Sequence, residues 1–275
     1  MYFIRRIIII MALFSLAIIT VPDGQAEEEI PEAAPSNLIV PDISDGEKIS
    51  YVVTFLDKEE KSFAIDGELA QLERFTYTTR LIEEEGKVFY EVKEREELSG
   101  DLYTEYETLF ELGDYMRMLH YTQTVHSYTD KVVRRHYSDY DDALYDFPGP
   151  TILTHAITFW LRGIDFERGE DAEFYLMLLG DSSPPWRMHA RLGMIEEITV
   201  PAGTFKCQKV TIDPDYKHFL GKWAWASFII KPLVPDFFIW YSTKPPYPMV
   251  RFEGALGVKG ITAVQIHELE SYEAP

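Results

Sequence analysis

Few residues in this sequence have the types and the spacing that chemistry requires. The seven histidines are scattered, and no two stand three or four residues apart, the spacing that places two metal ligands on one helical face. His120 and His126 share strand parity and could meet His136 on a sheet face, but core or surface histidines are more common, and we predict no metal site. The hydrolase elbow G-x-S-x-G, the phosphate loop, the dinucleotide fingerprint and H-E-x-x-H are all absent from the sequence. These absences predict a protein that is not an enzyme and that needs no cofactor.

Aspartates in the stretch SDYDDALYD have a spacing that could hold calcium. An EF-hand loop needs Gly at its sixth position and Glu at its twelfth. Counted from Asp139, those positions are Leu144 and Pro150. We therefore expect this stretch to be a solvated connection that leads into a helix.

Two other groups of charges have structural explanations. Glu196 and Glu197 are adjacent, so a strand would point them to opposite faces and they would not share a proton or a substrate. Arg251 and Glu253 are two residues apart, so they share a strand face and are predicted to pair.

The only cysteine lies in the stretch ITVPAGTFKCQKV. A reactive thiolate needs a cationic or helix-end environment, and we expect Cys207 to be a buried core residue instead. Residues Pro201 to Thr204 are predicted to form a hairpin turn, with Gly203 supplying the backbone freedom. The apolar positions change parity beside Gln208, which predicts a β-bulge there or a strand buried on both faces. These apolar positions are Phe205, Cys207, Val210 and Ile212.

The N-terminus has the order of a secretory signal peptide. Arg5 and Arg6 precede an apolar run over residues 7–21, and Gly24 and Ala26 stand where a signal peptidase would cleave, so we predict cleavage after Ala26. The run is shorter than the roughly 20 residues of a spanning helix, so no stable membrane span is expected after cleavage. The sequence thus predicts an exported protein of the periplasm or cell envelope.

The charge of the chain limits its partners. The whole chain has 26 basic and 46 acidic residues; removal of residues 1–26 takes away Arg5, Arg6 and Asp23 and leaves 24 basic and 45 acidic residues, a net charge of −21. Such a chain repels phosphate backbones and anionic surfaces, which excludes nucleic acid as an expected partner. We expect residues 27–45, which are acidic and rich in proline, to be a flexible leader, and residues 46–272 to be a single β-rich domain.

Alternating apolar residues predict an antiparallel meander for most of the mature chain. The pattern begins in GEKISYVVTFL and recurs to the end of the chain. TILTHAITFWLRG has helical spacing, with Thr151 as a possible cap and Gly163 as the end. A second, short amphipathic helix is predicted from Tyr216 to Lys231, ended by Pro232.

The 39 aromatic residues, 17 Tyr, 17 Phe and 5 Trp, suggest either a thick aromatic core or a lined cavity. Under the cavity hypothesis a curved sheet would bind an apolar ligand, such as a lipid or a lipoprotein acyl chain. The residues predicted to line it are Trp223, Trp225, Phe228, Phe237 and Trp240.

Four stretches resemble the exported bacterial proteins of the family called domain of unknown function 3108. They are GEKISYVVTF, ILTHAITFWLRG, IEEITVPAGTFKCQKVTIDP and FFIWYSTKPPYPMVRFEG. The resemblance implies an envelope location and a strongly bent antiparallel sheet, similar to periplasmic lipid and lipoprotein carriers. It implies no catalytic residues, and the apolar stretch between Asp213 and Pro235 departs from the family pattern.

The pattern and the resemblance together predict a mainly β fold. We expect a strongly curved antiparallel sheet that forms an open or partial β-barrel, with one mid-chain helix and the second short helix. The first functional hypothesis is a non-enzymatic binding protein for an apolar small molecule or lipid. The alternatives are a structural or assembly factor with an envelope protein partner, and an enzyme that acts on an envelope glycan or lipid through Glu196, Glu197 and Glu253.

Overall fold

The described part of the protein belongs to one compact unit, Ala33–Pro275. The computed structural model describes residues 37–56, 63–65, 68–70, 72–98, 102–127, 132–139, 150–177, 185–216, 231, 237–254 and 264–275. The predicted signal peptide and all but the two end residues of the predicted helix Tyr216–Lys231 lie outside these residues, so both stay predictions. Among the described residues there is no helix of the length and apolarity needed to cross a membrane.

Fifteen strands account for most of the described residues. Thirteen form one sheet in the order β8-β7-β6-β5-β4-β1-β15-β14-β13-β12-β11-β10-β9, and β2 and β3 pair separately. Neighbours pair antiparallel, except β9 and β10, which are parallel. The strands are β1 (Lys48–Phe55), β2 (Phe63–Ile65), β3 (Glu68–Ala70), β4 (Leu72–Glu84), β5 (Lys87–Leu98), β6 (Leu102–Leu112), β7 (Met116–Ser127), β8 (Val132–Asp139), β9 (Thr151–Leu153), β10 (Ala172–Met177), β11 (Trp186–Val200), β12 (Gly203–Pro214), β13 (Phe237–Ser242), β14 (Met249–Gly254) and β15 (Gln265–Glu273).

The mid-chain helix starts later than predicted. Thr151 is not its cap, because Thr151–Leu153 form β9, whose backbone is taken up by pairing with β10. A 3₁₀ turn (Thr154–Ala156), the α-helix α1 (Ile157–Trp160) and a second 3₁₀ turn (Leu161–Gly163) follow without a break. We call Thr154–Gly163 the central helix. It ends at Gly163 as predicted, where a Cβ would lie 2.6 Å from the Ile39 carbonyl oxygen.

The sheet curves around the central helix. The hydroxyls of Thr158 and of Tyr77 on β4 form a hydrogen bond with each other (3.0 Å). The Thr158 carbonyl accepts a second hydrogen bond, from the Tyr241 hydroxyl of β13 (2.7 Å). The Trp160 indole N–H donates to the Met116 carbonyl of β7 (2.6 Å). These strands are far apart in the sheet order, so only strong curvature brings them to one helix. The predicted partial β-barrel with a mid-chain helix is thus confirmed, and we call the sheet face toward this helix the inner face.

A buried ion pair fixes one end of the central helix. The Arg162 guanidinium donates to both carboxylate oxygens of Glu47 (2.6 and 2.9 Å), and both side chains are about 1–2% exposed. Arg162 also donates to the Pro246 carbonyl (3.1 Å), and the Tyr272 hydroxyl donates to Glu47 (3.0 Å). Such a pair is stable only when its remaining hydrogen bonds are made, as they are here. It ties the helix to the start of β1, the end of β15 and the β13–β14 turn.

The end of the predicted leader is packed, not flexible. Leu38 is buried and bridges to Ile164, and the backbone N–H of Ile39 donates to the Gly163 carbonyl. The backbone N–H of Ile43 donates to the Tyr90 hydroxyl (3.0 Å). The segment 37–45 is therefore part of the fold, because Asn37, Leu38, Pro41 and Ile43 are buried and its backbone is hydrogen-bonded to the end of the central helix and to Tyr90.

The stretch around Cys207 is a hairpin, as predicted. Pro201 and Ala202 form the turn between β11 and β12, and Gly203 has φ +130°, which only glycine adopts readily. The bulge lies on β11 and not at Gln208, since two residues of β11, Gly193 and Met194, oppose one residue of β12.

The Cys207 thiol is buried, as expected from the sequence. Burial and the nearby charge of Glu196 raise its pKa to about 12. The thiol is therefore protonated at neutral pH and is a poor nucleophile.

Candidate functional site

The two halves of the inner face are filled differently. We call the end with the short turns at residues 85–86, 113–115 and 201–202 the turn end, and the opposite end, at Phe55, Leu98 and Gly254, the far end. The central helix runs toward the turn end, where Trp160 and Arg162 are buried. The far half of the inner face is lined by the side chains of β1, β4 to β7 and β13 to β15, and it is our candidate site.

Aromatic rings form one wall of this far half. Phe75 of β4 stacks on Tyr51 (ring centroids 4.6 Å apart) and meets the His267 ring of β15 edge-on (5.0 Å). His267 also contacts Phe252 of β14 (4.8 Å), and Phe252 contacts Phe237 of β13 (6.3 Å). This aromatic wall crosses five neighbouring strands, β4, β1, β15, β14 and β13, and Phe237 and His267 keep part of their surface accessible.

Polar side chains form the adjoining wall. Glu94 and Glu96 are two residues apart on β5, so they share a face; Glu94 pairs across the sheet with Tyr77 and Tyr106, and Glu96 with Phe75 and Thr104. The Tyr106 hydroxyl donates to Glu96 (2.7 Å). The polar wall comprises Glu94, Glu96, Thr104, Tyr106 and Gln123.

The environment shifts the pKa values of both carboxyls upward. Burial, followed by the charge of Glu96, raises the pKa of Glu94 well above its usual range. Burial raises the pKa of Glu96 to about 7, although the Tyr106 hydroxyl lowers it. Within the described residues, no cationic side chain forms an ion pair with either carboxyl. The two carboxyls can therefore share a proton near neutral pH, donating one hydrogen bond and accepting others.

His155, at the start of the central helix, faces the polar wall. Its ring stacks on Tyr106 (5.3 Å) and Tyr121 (4.1 Å), and its Nε2 lies 3.4 Å from the Thr108 hydroxyl. Burial lowers the pKa of His155 to about 3, as it does for His267, so both rings are neutral. The Nδ1 atoms of both rings lack a hydrogen-bond partner in the described part of the chain.

Several of these side chains are deep in the fold and still accessible. Glu96, Gln123, His155 and His267 all keep an intermediate fraction of their surface exposed, although burial dominates the pKa shifts of three of them. A ligand could reach such side chains on the inner face. The candidate site is therefore a partly accessible part of the inner face with one aromatic and one polar wall.

Of the five predicted ligand-binding residues, the structure describes two. Trp223, Trp225 and Phe228 lie outside the described residues. Phe237 is on the inner face, whereas Trp240, three residues on along β13, points to the outer face. There Trp240 donates to Glu196 (3.4 Å) and lies under the Lys209 ammonium (4.9 Å). The structure does not bring Phe237 and Trp240 together.

The charged groups considered in the sequence are spread over several strands. Arg251 pairs with Glu253 (3.3 Å) as predicted, and also with Glu268 (3.4 Å). His120 and His126 lie on β7, and His136 is opposite Gln123 on β8. Among the described residues, no three His, Cys, Asp or Glu side chains are grouped as a metal site.

The polar wall was missed by reasoning from the sequence. The strand sequence KVFYEVKEREEL carries the only usable signal, because Tyr90, Val92, Glu94, Glu96 and Leu98 have the same parity. This parity places two carboxyls on an otherwise apolar face. The acidic run around them, however, resembles an ordinary solvated strand.

Comparisons with known proteins show similarity in fold only. No protein-family model matches the sequence, and no curated protein matches it. A candidate exported protein with a YmcC-like fold from Bacteroides fragilis has 14% identity and a TM-score of 0.34 over 86% of this chain and 99% of its own. A β-barrel-like protein of domain of unknown function DUF1849 from Brucella abortus has 11% identity and a TM-score of 0.44 over 86% and 98%.

A third solved structure, a candidate lipoprotein from Parabacteroides distasonis, has 13% identity and a TM-score of 0.35 over 87% of this chain and 100% of its own. Values this low carry no conclusion about function. The resemblance to domain of unknown function 3108 stays a prediction.

Proposed function

We propose that this protein is an exported binding protein that holds an apolar ligand against the far half of its inner face. The observation that carries the proposal is the contrast along that face. The turn half is closed by the central helix, whereas Phe237, His267 and Glu96 in the far half remain partly accessible. Ligand sites in proteins are mostly apolar and have a few polar groups that fix orientation, as the two walls here do.

A binding role fits the chemistry of this site better than a catalytic role. The hydroxyl of Tyr106 donates to Glu96, and the two histidines are neutral and contact aromatic rings. The Cys207 thiol is protonated and lies on another strand. The alternative enzyme hypothesis relied on Glu196, Glu197 and Glu253. Of these, Glu196 accepts a hydrogen bond from Trp240 and Glu253 accepts one from Arg251.

Export is the second part of the proposal. It is supported by the N-terminal order of Arg5, Arg6, the apolar run and Ala26. Protein recovered from cells that express the full chain should begin at Glu27. Recovery of a chain that still begins at Met1 would contradict export with cleavage.

Binding can be tested with the neutral fluorescent probe N-phenyl-1-naphthylamine. Its emission should rise on mixing with the protein, and Phe237→Ala should weaken binding roughly fivefold or more, because an aromatic contact of the site is lost. Phe238→Ala is the matched control, since the next side chain of β13 points to the outer face and packs on Trp240 (6.1 Å). It should change the affinity by less than about twofold. No binding by the native protein, or equal losses in both variants, would contradict the proposal.

A further inference from the structure

The polar wall determines which apolar molecules the proposed site can accept. We propose that the site takes an amphipathic amine, with its ammonium group on Glu94 and Glu96 and its apolar chain along the aromatic wall. This inference depends on the proposed function and adds the chemical class of the ligand. Three observations carry it: carboxyls that have no counter-ion among the described residues, an unpartnered ring nitrogen of His155, and adjacent aromatic faces.

The first observation is the lack of a counter-ion. Glu94 is 7% exposed, and a buried carboxylate without a cation is unfavourable unless it binds a proton or a cationic partner. The groups that face the pair from neighbouring elements are Tyr77 on β4, Tyr106 on β6 and His155 on the central helix. None of these three is positively charged, because burial keeps His155 neutral. The pair therefore offers negative charge to a ligand.

The second observation is independent of the carboxyls. The Nδ1 atom of His155 is buried and has no hydrogen-bond partner in the described part of the chain, and the His155 ring stacks on Tyr106 of the polar wall. A buried polar atom normally has a partner. An ammonium group has three N–H donors, so it could donate to the carboxyl pair and to a further acceptor such as this ring nitrogen.

The third observation is the position of the rings. Phe75 is the cross-strand neighbour of Glu96 and begins the aromatic wall, which continues through His267, Phe252 and Phe237. An alkyl chain attached to an ammonium at Glu96 can therefore lie along these rings. The rings also favour the cation itself, because their faces are negative. The net charge of −20 would further attract cationic ligands and repel anionic ones.

The test uses three probes with one chain length: decylamine, decanol and decanoate. Each is titrated at pH 8 as a competitor of N-phenyl-1-naphthylamine. Decylamine is cationic at this pH, because its amine resembles that of Lys, with a pKa of about 10.4. We expect it to bind at least about tenfold more tightly than decanol, since charge-assisted hydrogen bonds are the stronger ones. Decanoate should bind most weakly.

Substitutions assign the selectivity to the polar wall. In the double variant Glu94→Gln, Glu96→Gln, the affinity for decylamine should fall to within about threefold of the affinity for decanol. The matched control is Glu91→Gln with Glu97→Gln, which makes the same two side-chain changes on β5 at positions of the opposite parity.

The outcomes separate this inference from the proposed function. Equal affinities for decylamine and decanol in the native protein would overturn the amine class and leave the apolar site intact. Binding of none of the three probes, with no response to the dye, would overturn both. Retained selectivity in a folded Glu94→Gln, Glu96→Gln variant would also overturn the inference, and an intact urea transition in that variant verifies its fold.

Discussion

The ion pair between Arg162 and Glu47 should contribute more to stability than any exposed pair of the protein. Arg162→Met removes both hydrogen bonds to Glu47 and those to the Pro246 carbonyl, and it leaves the Glu47 carboxylate with the Tyr272 hydroxyl. Removal of one partner from a buried pair typically costs about 3–5 kcal/mol, because the other charge stays buried. At a urea m-value of about 3 kcal/mol/M, a loss of 4 kcal/mol lowers the midpoint by roughly 1.3 M.

A double-mutant cycle isolates the interaction. Glu47→Gln alone should also lower the free energy of unfolding strongly. The double variant Arg162→Met, Glu47→Gln should lose at least about 2 kcal/mol less of this free energy than the sum of the two single losses. The assay is urea unfolding followed by both tryptophan fluorescence and far-ultraviolet circular dichroism. Lys93→Met is the control, since Lys93 and its partner Glu107 are 52% and 54% exposed, and it should cost less than about 1 kcal/mol. Single losses below about 1 kcal/mol at Arg162, or additive losses, would refute the reasoning.

Three further predictions concern the strands. Cys207 should resist alkylation in the native protein at pH 8 and react readily in urea, because burial raises its pKa to about 12; labelling at the rate of an exposed thiol would contradict this. Gly203→Ala should cost about 1–3 kcal/mol, because φ is +130° there, whereas Gly113→Ala, which has open space around it, should cost little; similar urea midpoints would argue against the strain. The raised pKa of Glu96, about 7 against 4.5 in the unfolded chain, means that its contribution to stability is full below about pH 4.5 and is lost as the pH rises through 7. Glu96→Gln should therefore gain stability relative to the native protein from pH 5 to pH 8, and a difference independent of pH would show that Glu96 titrates normally.

The strands were predictable because the two faces of the sheet differ. Alternation marks β1 and the meander β4 to β7, where one face meets the core and the other meets water. In FFIWYS that contrast is missing, since Ile239, Trp240 and Tyr241 are all buried, so the sequence could not show that Trp240 points outward. The start of the helix was misplaced because helical spacing of apolar residues does not distinguish helix from the short strand β9, which depends on pairing with β10.

The site itself depends on contacts between distant parts of the chain. Arg162 and Glu47 are 115 residues apart, and nothing in either local sequence indicates the pairing. Glu94 and Glu96 were visible as a pair of equal parity, but their surroundings include His155 of the central helix, which is distant in the sequence and stacks on Tyr106, the donor to Glu96. Local patterns can predict a face of a strand, but they do not show what that face will meet.

Photoaffinity labelling tests the central claim most directly. A decylamine derivative with a diazirine on its chain would be activated in the presence of the full protein, and the labelled residues would be identified by mass spectrometry. Labels are predicted on the aromatic wall, at Phe75, Phe252 or Phe237, and they should be lost on competition with unmodified decylamine. Labels confined to the outer face, such as at Phe238 or Trp240, or labels that resist competition, would contradict a ligand site on the inner face.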